Sequence, residues 1–188
     1  MAILTEAEVI TRSRNVSRST QLIKSSMEHN ASSTFDVFLS HSSNEPDEII
    51  FGIKGLLEDA KLKVYLDKID DPQMSPARVT PETAEILRVR MRQSSSLLYV
   101  YSRHSTQSRW MPWELGFFDG LKGAVGILPV VQSTQSSFRG EEYLGVYPYV
   151  DIATIKGTSK NNLWINRGNN EYADLAKWVK GAEMISKR

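Results

Sequence analysis

The stretch Phe35-Asp-Val-Phe-Leu-Ser-His-Ser-Ser-Asn-Glu45, FDVFLSHSSNE, passes in one step from a short apolar run to a hydroxyl-rich turn. Phe35 to Ser40 has the length and apolar continuity of a buried strand, and His41 to Glu45 reads as the turn that leaves it. Pro46 then opens a helix in which Ile49, Ile50, Ile53, Leu56, Leu57 and Ala60 recur at three- and four-residue spacing. Strand, turn and amphipathic helix make the first half of a strand-helix-strand unit, and the remaining sequence repeats it.

Leu62 to Asp67 (LKVYLD) is a second strand signal, Ser96 to Ser102 (SLLYVYS) a third and Val125 to Val131 (VGILPVV) a fourth. Tyr147 to Ile152 (YPYVDI) is a weaker fifth whose proline predicts a sheet edge. A polar loop holding Pro72, Pro76 and Pro81 leads to a helix from about Pro81 to Gln93. Pro112 opens the next helix, and a last one puts Tyr172, Leu175, Ala176 and Val179 on one face. This alternation predicts an α/β fold: a central five-stranded parallel sheet with helices on both faces. Ligands of such sheets sit at the carboxyl ends of the strands, near the point where strand order reverses. There the sequence offers Ser40, His41, Ser42 and Ser43, then Asp67, Lys68, Asp70 and Asp71, then Ser102, Arg103 and His104. Glu114 follows on the segment leaving the third strand, on the same side.

Residues 1–33 read as an N-terminal extension, with a capping box at Thr5-Glu-Ala-Glu8 and a linker from Glu28 to Thr34. Residues 34–188 form the main domain. The 188 residues carry a net charge of +1 and no cysteine. That balance provides no global field for nucleic acid or an anionic membrane, and excludes disulfides and thiol chemistry. No apolar run approaches the roughly 20 residues that span a bilayer, and the N-terminus lacks the apolar core of a secretory signal. A cytoplasmic protein is expected.

No GxxxxGK[ST] loop, GxGxxG turn or GxSxG elbow is present. The turn SHSSNEP can hold phosphate at a helix N-terminus or simply cap it. His41 and His104 lack a third ligand, so no metal is expected. Arg88, Arg90 and Arg92 read as a solvated helix face. In Arg109 to Gly120 (RWMPWELGFFDG), Glu114 lies among two tryptophans and two phenylalanines. With Pro112 at the first helical position, Glu114 is the third, where a carboxylate meets unpaired amides and a favourable dipole. Local sequence leaves capping and chemistry both open.

FDVFLSHSSNE at the head of a five-strand alternation, followed by Trp110-Met-Pro-Trp-Glu114, resembles the TIR domain over roughly residues 34–180. SHSSNE is similar to the family's first box, Asp67 to Pro81 stands at its BB loop, and W-x-x-x-E matches its catalytic motif. EEYLGVYPYVDI is similar to a segment of stand-alone bacterial TIR proteins of the Thoeris anti-phage kind. The resemblance implies a flavodoxin-like TIR fold and cleavage of the N-glycosidic bond of NAD+, with Glu114 catalytic. It implies that Phe38, Ser40, His41 and Asp67 bind substrate, and that Trp110 supports the glutamate or stacks on the ligand. NAD+ is then a substrate and no further cofactor is required. It also implies self-association through TIR–TIR contacts and a separate effector that senses the product. The loop DKIDDPQMSPARVTPE departs from many signalling members in having no glycine. Two other readings are a non-catalytic TIR adaptor and a relative of the nucleoside deoxyribosyltransferases. The product is not written in the motif: one glutamate serves attack by water, by an adenine nitrogen or by a foreign nucleophile.

Overall fold

A computed structural model describes residues 2–14, 34–72, 80–133, 143–168 and 170–186. Residues 28–33 of the expected linker, 73–79 of the Asp67–Pro81 loop and 141–142 of EEYLGVYPYVDI lie outside the described residues.

The chain alternates as expected through β2 (Phe35–Ser40), α2 (Asp47–Asp59), β3 (Val64–Tyr65), α3 (Asp67–Asp70), α4 (Pro81–Gln93), β4 (Ser94–Tyr101), α5 (Trp110–Lys122), β5 (Val125–Val131) and β6 (Tyr149–Thr154). These five strands are parallel and lie in the order β3-β2-β4-β5-β6. Numbered among themselves the order is 2-1-3-4-5, the flavodoxin-like arrangement, with its reversal between β2 and β4. The side chains of β2 and β4 divide between two cores. Val37, Leu39, Leu98 and Val100 pack with Ile50, Ile53 and Leu57 of α2. Phe35, Phe38, Leu97 and Tyr99 pack on the other face with Leu87 and Met91 of α4 and Met111, Leu115 and Phe118 of α5. Burial on both faces explains the continuous apolar runs.

The sheet is larger than the expected five strands. β7 (Asn161–Arg167), β8 (Glu171–Asp174) and β9 (Ile185–Ser186) continue it antiparallel beyond β6, giving a nine-stranded sheet with β1 (Leu4–Thr5). β6 is therefore not an edge, and Pro148 stands just before it, where its missing N–H costs no ladder bond. The expected last helix is shorter: α6 covers Leu175–Val179, and Tyr172 belongs to β8.

The N-terminal segment is built into this sheet. β5 pairs with β6 at Ile127–Tyr149, and further on Val130 and Val131 pair with Leu4 and Thr5 of β1. Ala2 exchanges both backbone hydrogen bonds with Ile152 of β6, at 2.9 and 2.8 Å. Residues 2–5 thus fill the fork between β5 and β6. Pro129 lies between the two pairing regions, so its missing N–H falls where the partner changes. α1 (Glu6–Arg14) then packs on α2, with Val9 fully buried. The capping box closes as expected: Thr5 N–H donates to Glu8 Oε2 at 2.8 Å, and Glu8 N–H to Thr5 Oγ1 at 3.3 Å. No helix of the described residues is long and apolar enough to cross a membrane.

Candidate active site

α5 starts at Trp110, so Pro112 is its third residue and Glu114 its fifth. This corrects the expected positions, first and third. A proline is tolerated anywhere in the first turn, because those N–H groups have no acceptor within the helix. Glu114 is consequently a turn deeper than a cap, and it reaches across to the sheet. Its Oε2 accepts a hydrogen bond of 2.6 Å from Ser40 Oγ, at the carboxyl end of β2. Glu114 is only 7% exposed. Burial pushes its carboxyl up to about 7; the Ser40 bond opposes burial, the Asp67 charge reinforces it, and His41 opposes it. No described residue hydrogen-bonds the second oxygen, Oε1.

His41 follows Ser40 out of β2. Its Nδ1 lies 2.9 Å from Ser42 O and its Nε2 2.7 Å from Asp67 Oδ1. Carbonyl and carboxylate oxygens only accept, so both nitrogens carry hydrogen and the ring is an imidazolium. Burial drives the His41 pKa down, but the charge and hydrogen bond of Asp67, with the Ser42 carbonyl, hold it above its ordinary value. Burial pushes Asp67 up, yet the His41 charge and hydrogen bond and the Lys68 N–H bond hold its carboxyl below the ordinary range.

Of the residues expected to bind substrate, Ser40 bonds Glu114 directly, the Asp67 charge acts on it, and Trp110 precedes it on α5. Asp67 keeps 29% of its side chain exposed. Trp110, one turn before Glu114, is half-buried and meets Trp113 edge-on at 5.3 Å. His41 has both nitrogens engaged and a side chain 3% exposed, so neither nitrogen is a free donor. Phe38 is 2% exposed and stacked on Tyr65 at 5.0 Å inside the core.

Sequence reasoning missed the links among these exits. Glu45, 2% exposed, accepts a 2.6 Å hydrogen bond from Ser102 Oγ beyond β4, while its buried Oε1 meets no partner among the described residues. Burial pushes the Glu45 carboxyl up, against the Ser102 bond. Lys68 Nζ donates to Glu45 O at 3.2 Å and to Asp47 Oδ1 at 3.1 Å. Ser102 is visible in the sequence only as a member of a strand-end cluster and Glu45 only as the end of the SHSSNE turn; nothing in the sequence pairs residues 57 apart.

Arg90 corrects the solvated-face reading. It forms a two-pronged pair with Asp71 at 2.8 and 3.0 Å, and Tyr65 OH donates to the same carboxylate at 2.9 Å. Arg88 and Arg92 do pair at the surface, with Glu85. Among the described residues no three His, Asp or Glu side chains could together hold a metal ion. A cleft of about 450 Å³ lies where α5 ends and β5 begins, lined by Asp119, Tyr147, Arg167 and Trp178 among others. That is the amino end of the parallel strands, away from Glu114, so strand-end geometry and chemistry outweigh its size in locating the site.

Strand order and site together define a class: a doubly wound α/β protein whose buried Glu114 bonds the end of β2 at the rim of its switch point. The chain is 43% identical over 146 residues to the protein named probable 3′ cyclic ADP-D-ribose synthase ThsB′ of Bacillus cereus (strain MSX-D12), covering 77% of this chain and 75% of that one. It belongs to that protein's family, the ThsB′ family of TIR-domain proteins. It is also similar to the crystal structure of the TIR domain of a Toll-related receptor from Hydra magnipapillata, with a TM-score of 0.45 and 17% identity over 62% of this chain and 82% of that one. No protein-family model matches the chain.

Proposed function

We propose that this chain is a cytoplasmic NAD+-cleaving enzyme of anti-phage defence. It breaks the nicotinamide–ribose bond at Glu114 and forms a cyclic ADP-ribose. The observation that carries this reading is a carboxylate 7% exposed at the strand-end rim, bonded to Ser40 Oγ through one oxygen only. The family relationship to a named 3′ cyclic ADP-D-ribose synthase supports the product class. An adaptor working only through surface contacts has no need of a buried carboxyl of this kind.

The chemistry suits a single glutamate. Nicotinamide departs as a neutral molecule from a cationic pyridinium, so no acid has to protonate it. The ribose left behind is oxocarbenium-like. Glu114 Oε1 accepts from the ribose hydroxyls and its negative charge stabilises that cation, with Ser40 fixing the other oxygen. A hydroxyl of the same ADP-ribose then bonds to the anomeric carbon and releases its proton to solvent, or a ring nitrogen of its adenine bonds there and the exocyclic amine releases the proton, closing the ring. NAD+ is the substrate and no further cofactor enters. Self-association organises the site, and a separate effector senses the nucleotide.

Incubating the full chain with NAD+ and resolving products by mass spectrometry is expected to show nicotinamide and a cyclic isomer of ADP-ribose. Intact NAD+ at high protein concentration, with assembly promoted, overturns the reading. The working form is the carboxylate, and burial raises the Glu114 pKa to about 7. kcat/KM is therefore expected to rise with pH and level off above about 7, falling roughly tenfold per pH unit below it. In the bound complex the pyridinium favours the carboxylate, so the limb in kcat moves to lower pH. A kcat/KM profile flat from pH 5.5 to 8.5 is the contrary result.

A further inference from the structure

Glu45 is an expensive residue in a structural sense. It is 2% exposed, its carboxyl is pushed up by burial, and Oε1 meets no partner among the described residues. A buried polar atom left unpaired costs about 1–3 kcal/mol. Its remaining bonds go to the three chain exits that carry the site. On the β2 exit, Glu45 N–H donates at 3.0 Å to the carbonyl of Ser42, the residue after the Ser40–His41 pair. From the β3 exit, Lys68 Nζ reaches Glu45 O at 3.2 Å, and Lys68 N–H donates to the Asp67 oxygen that holds His41. At the β4 exit, Ser102 Oγ donates to Glu45 Oε2 at 2.6 Å and accepts from His104 N–H at 3.0 Å. That turn continues through Ser105 and Ser108, whose Oγ takes the Met111 N–H at 3.3 Å in the first turn of α5.

We propose that Glu45 is a positioning residue for the reaction at Glu114: through Ser102 and Lys68 it fixes the exits that hold Ser40, Asp67 and Glu114 in register. This rests on the NAD+-cleaving reading. Glu45 does not touch Glu114. It acts on where α5 begins relative to β2, and hence on the 2.6 Å contact between Ser40 Oγ and the Glu114 carboxyl. An error of about 1 Å in such a contact costs up to the order of 100-fold in rate.

The test compares Glu45→Ala, Ser102→Ala, the double variant and Glu45→Gln for kcat, KM and melting temperature with NAD+. Either alanine variant is expected to lower kcat by about 10- to 100-fold with KM little changed. The double variant is expected to lose no more than the worse single one, since both remove the same link. Glutamine keeps an acceptor oxygen at the same reach and is expected to restore most of kcat. If Glu45→Ala does not fold, Ser102→Ala and Glu45→Gln carry the test. Wild-type kcat in the alanine variants, a lowered melting temperature with unchanged kcat, additive losses, or no rescue by glutamine each overturn the proposal. A wild-type protein that leaves NAD+ intact overturns instead the reading of Glu114, and the positioning role with it.

Discussion

Glu114→Gln is expected to remove NAD+ cleavage and, at pH 8, to raise the melting temperature. The two effects share one cause. Glutamine matches the shape and still accepts from Ser40 Oγ, but it cannot carry the charge that an oxocarbenium requires. Removing one electrostatic stabiliser of a transition state costs about 100- to 1000-fold. In the folded protein burial lifts this carboxyl from 4.5 to about 7, with the Ser40 bond working against the rise. A carboxyl raised in this way holds its proton more firmly folded than unfolded. Its contribution to stability is complete below about 4.5 and is lost as pH rises through about 7. At pH 8 the wild type therefore carries a burden on the order of 3 kcal/mol for an ionised buried group, reduced in the comparison by the unpaired amide that glutamine brings. At pH 5 the difference shrinks toward zero. A mere helix-cap carboxylate gives the opposite sign, a loss of about 0.5–1 kcal/mol on substitution at pH 8. Thermal melts at both pH values, run beside turnover assays, separate the two. A variant less stable at pH 8 that still consumes NAD+ defeats the catalytic assignment.

That sign difference shows why the sequence could be read so far and no further. The parallel strands were legible because burial on both faces makes them continuous apolar runs, as in VGILPVV, bounded by turn residues. β1 has two residues, and β7 and β8 (NNLWINR and EYAD) mix asparagine and aspartate into short strands, so no period-two signal rises above background. Pro112 marked a helix start but not its register: the first turn accepts proline at any position, and two residues decide whether Glu114 is a cap or a group aimed at the sheet. Ser40 and Glu114 lie 74 residues apart, His41 and Asp67 26 apart. The switch-point rule could gather these residues at one rim, but only folding shows that His41 is locked between two acceptors. The burial of Phe38 is illegible for the same reason, since a strand's alternation does not say which of two faces is closed.

The N-terminal segment yields the largest expected effect on stability, through Gly52. This glycine lies inside α2, directly under the backbone of α1, and a Cβ there would stand 1.9 Å from Val9 O and 2.5 Å from Val9 C. By helix propensity alone, Gly52→Ala should gain about 1 kcal/mol. The clash decides the sign, because the obstructing atoms are backbone and cannot rotate away. Either α2 shifts or α1 lifts, and α1 cannot lift without drawing β1 from the fork between β5 and β6, where Leu4 is 1% exposed. Arg12 would also leave Asp59, which it grips at 2.6 and 2.8 Å. Net destabilisation of about 3 kcal/mol or more is expected, at the upper end of overpacking costs. Gly120, exposed in α5 with nothing within 4 Å of its Cβ position, is the control. Gly120→Ala is expected to be neutral or to stabilise by up to about 1 kcal/mol. Denaturant melts give both values, and tryptic cleavage at Arg12 and Arg14 reports whether α1 has come away. If Gly52→Ala unfolds like the wild type and its N-terminus resists trypsin equally, α1 does not rest on α2 as closely as the 1.9 Å approach requires.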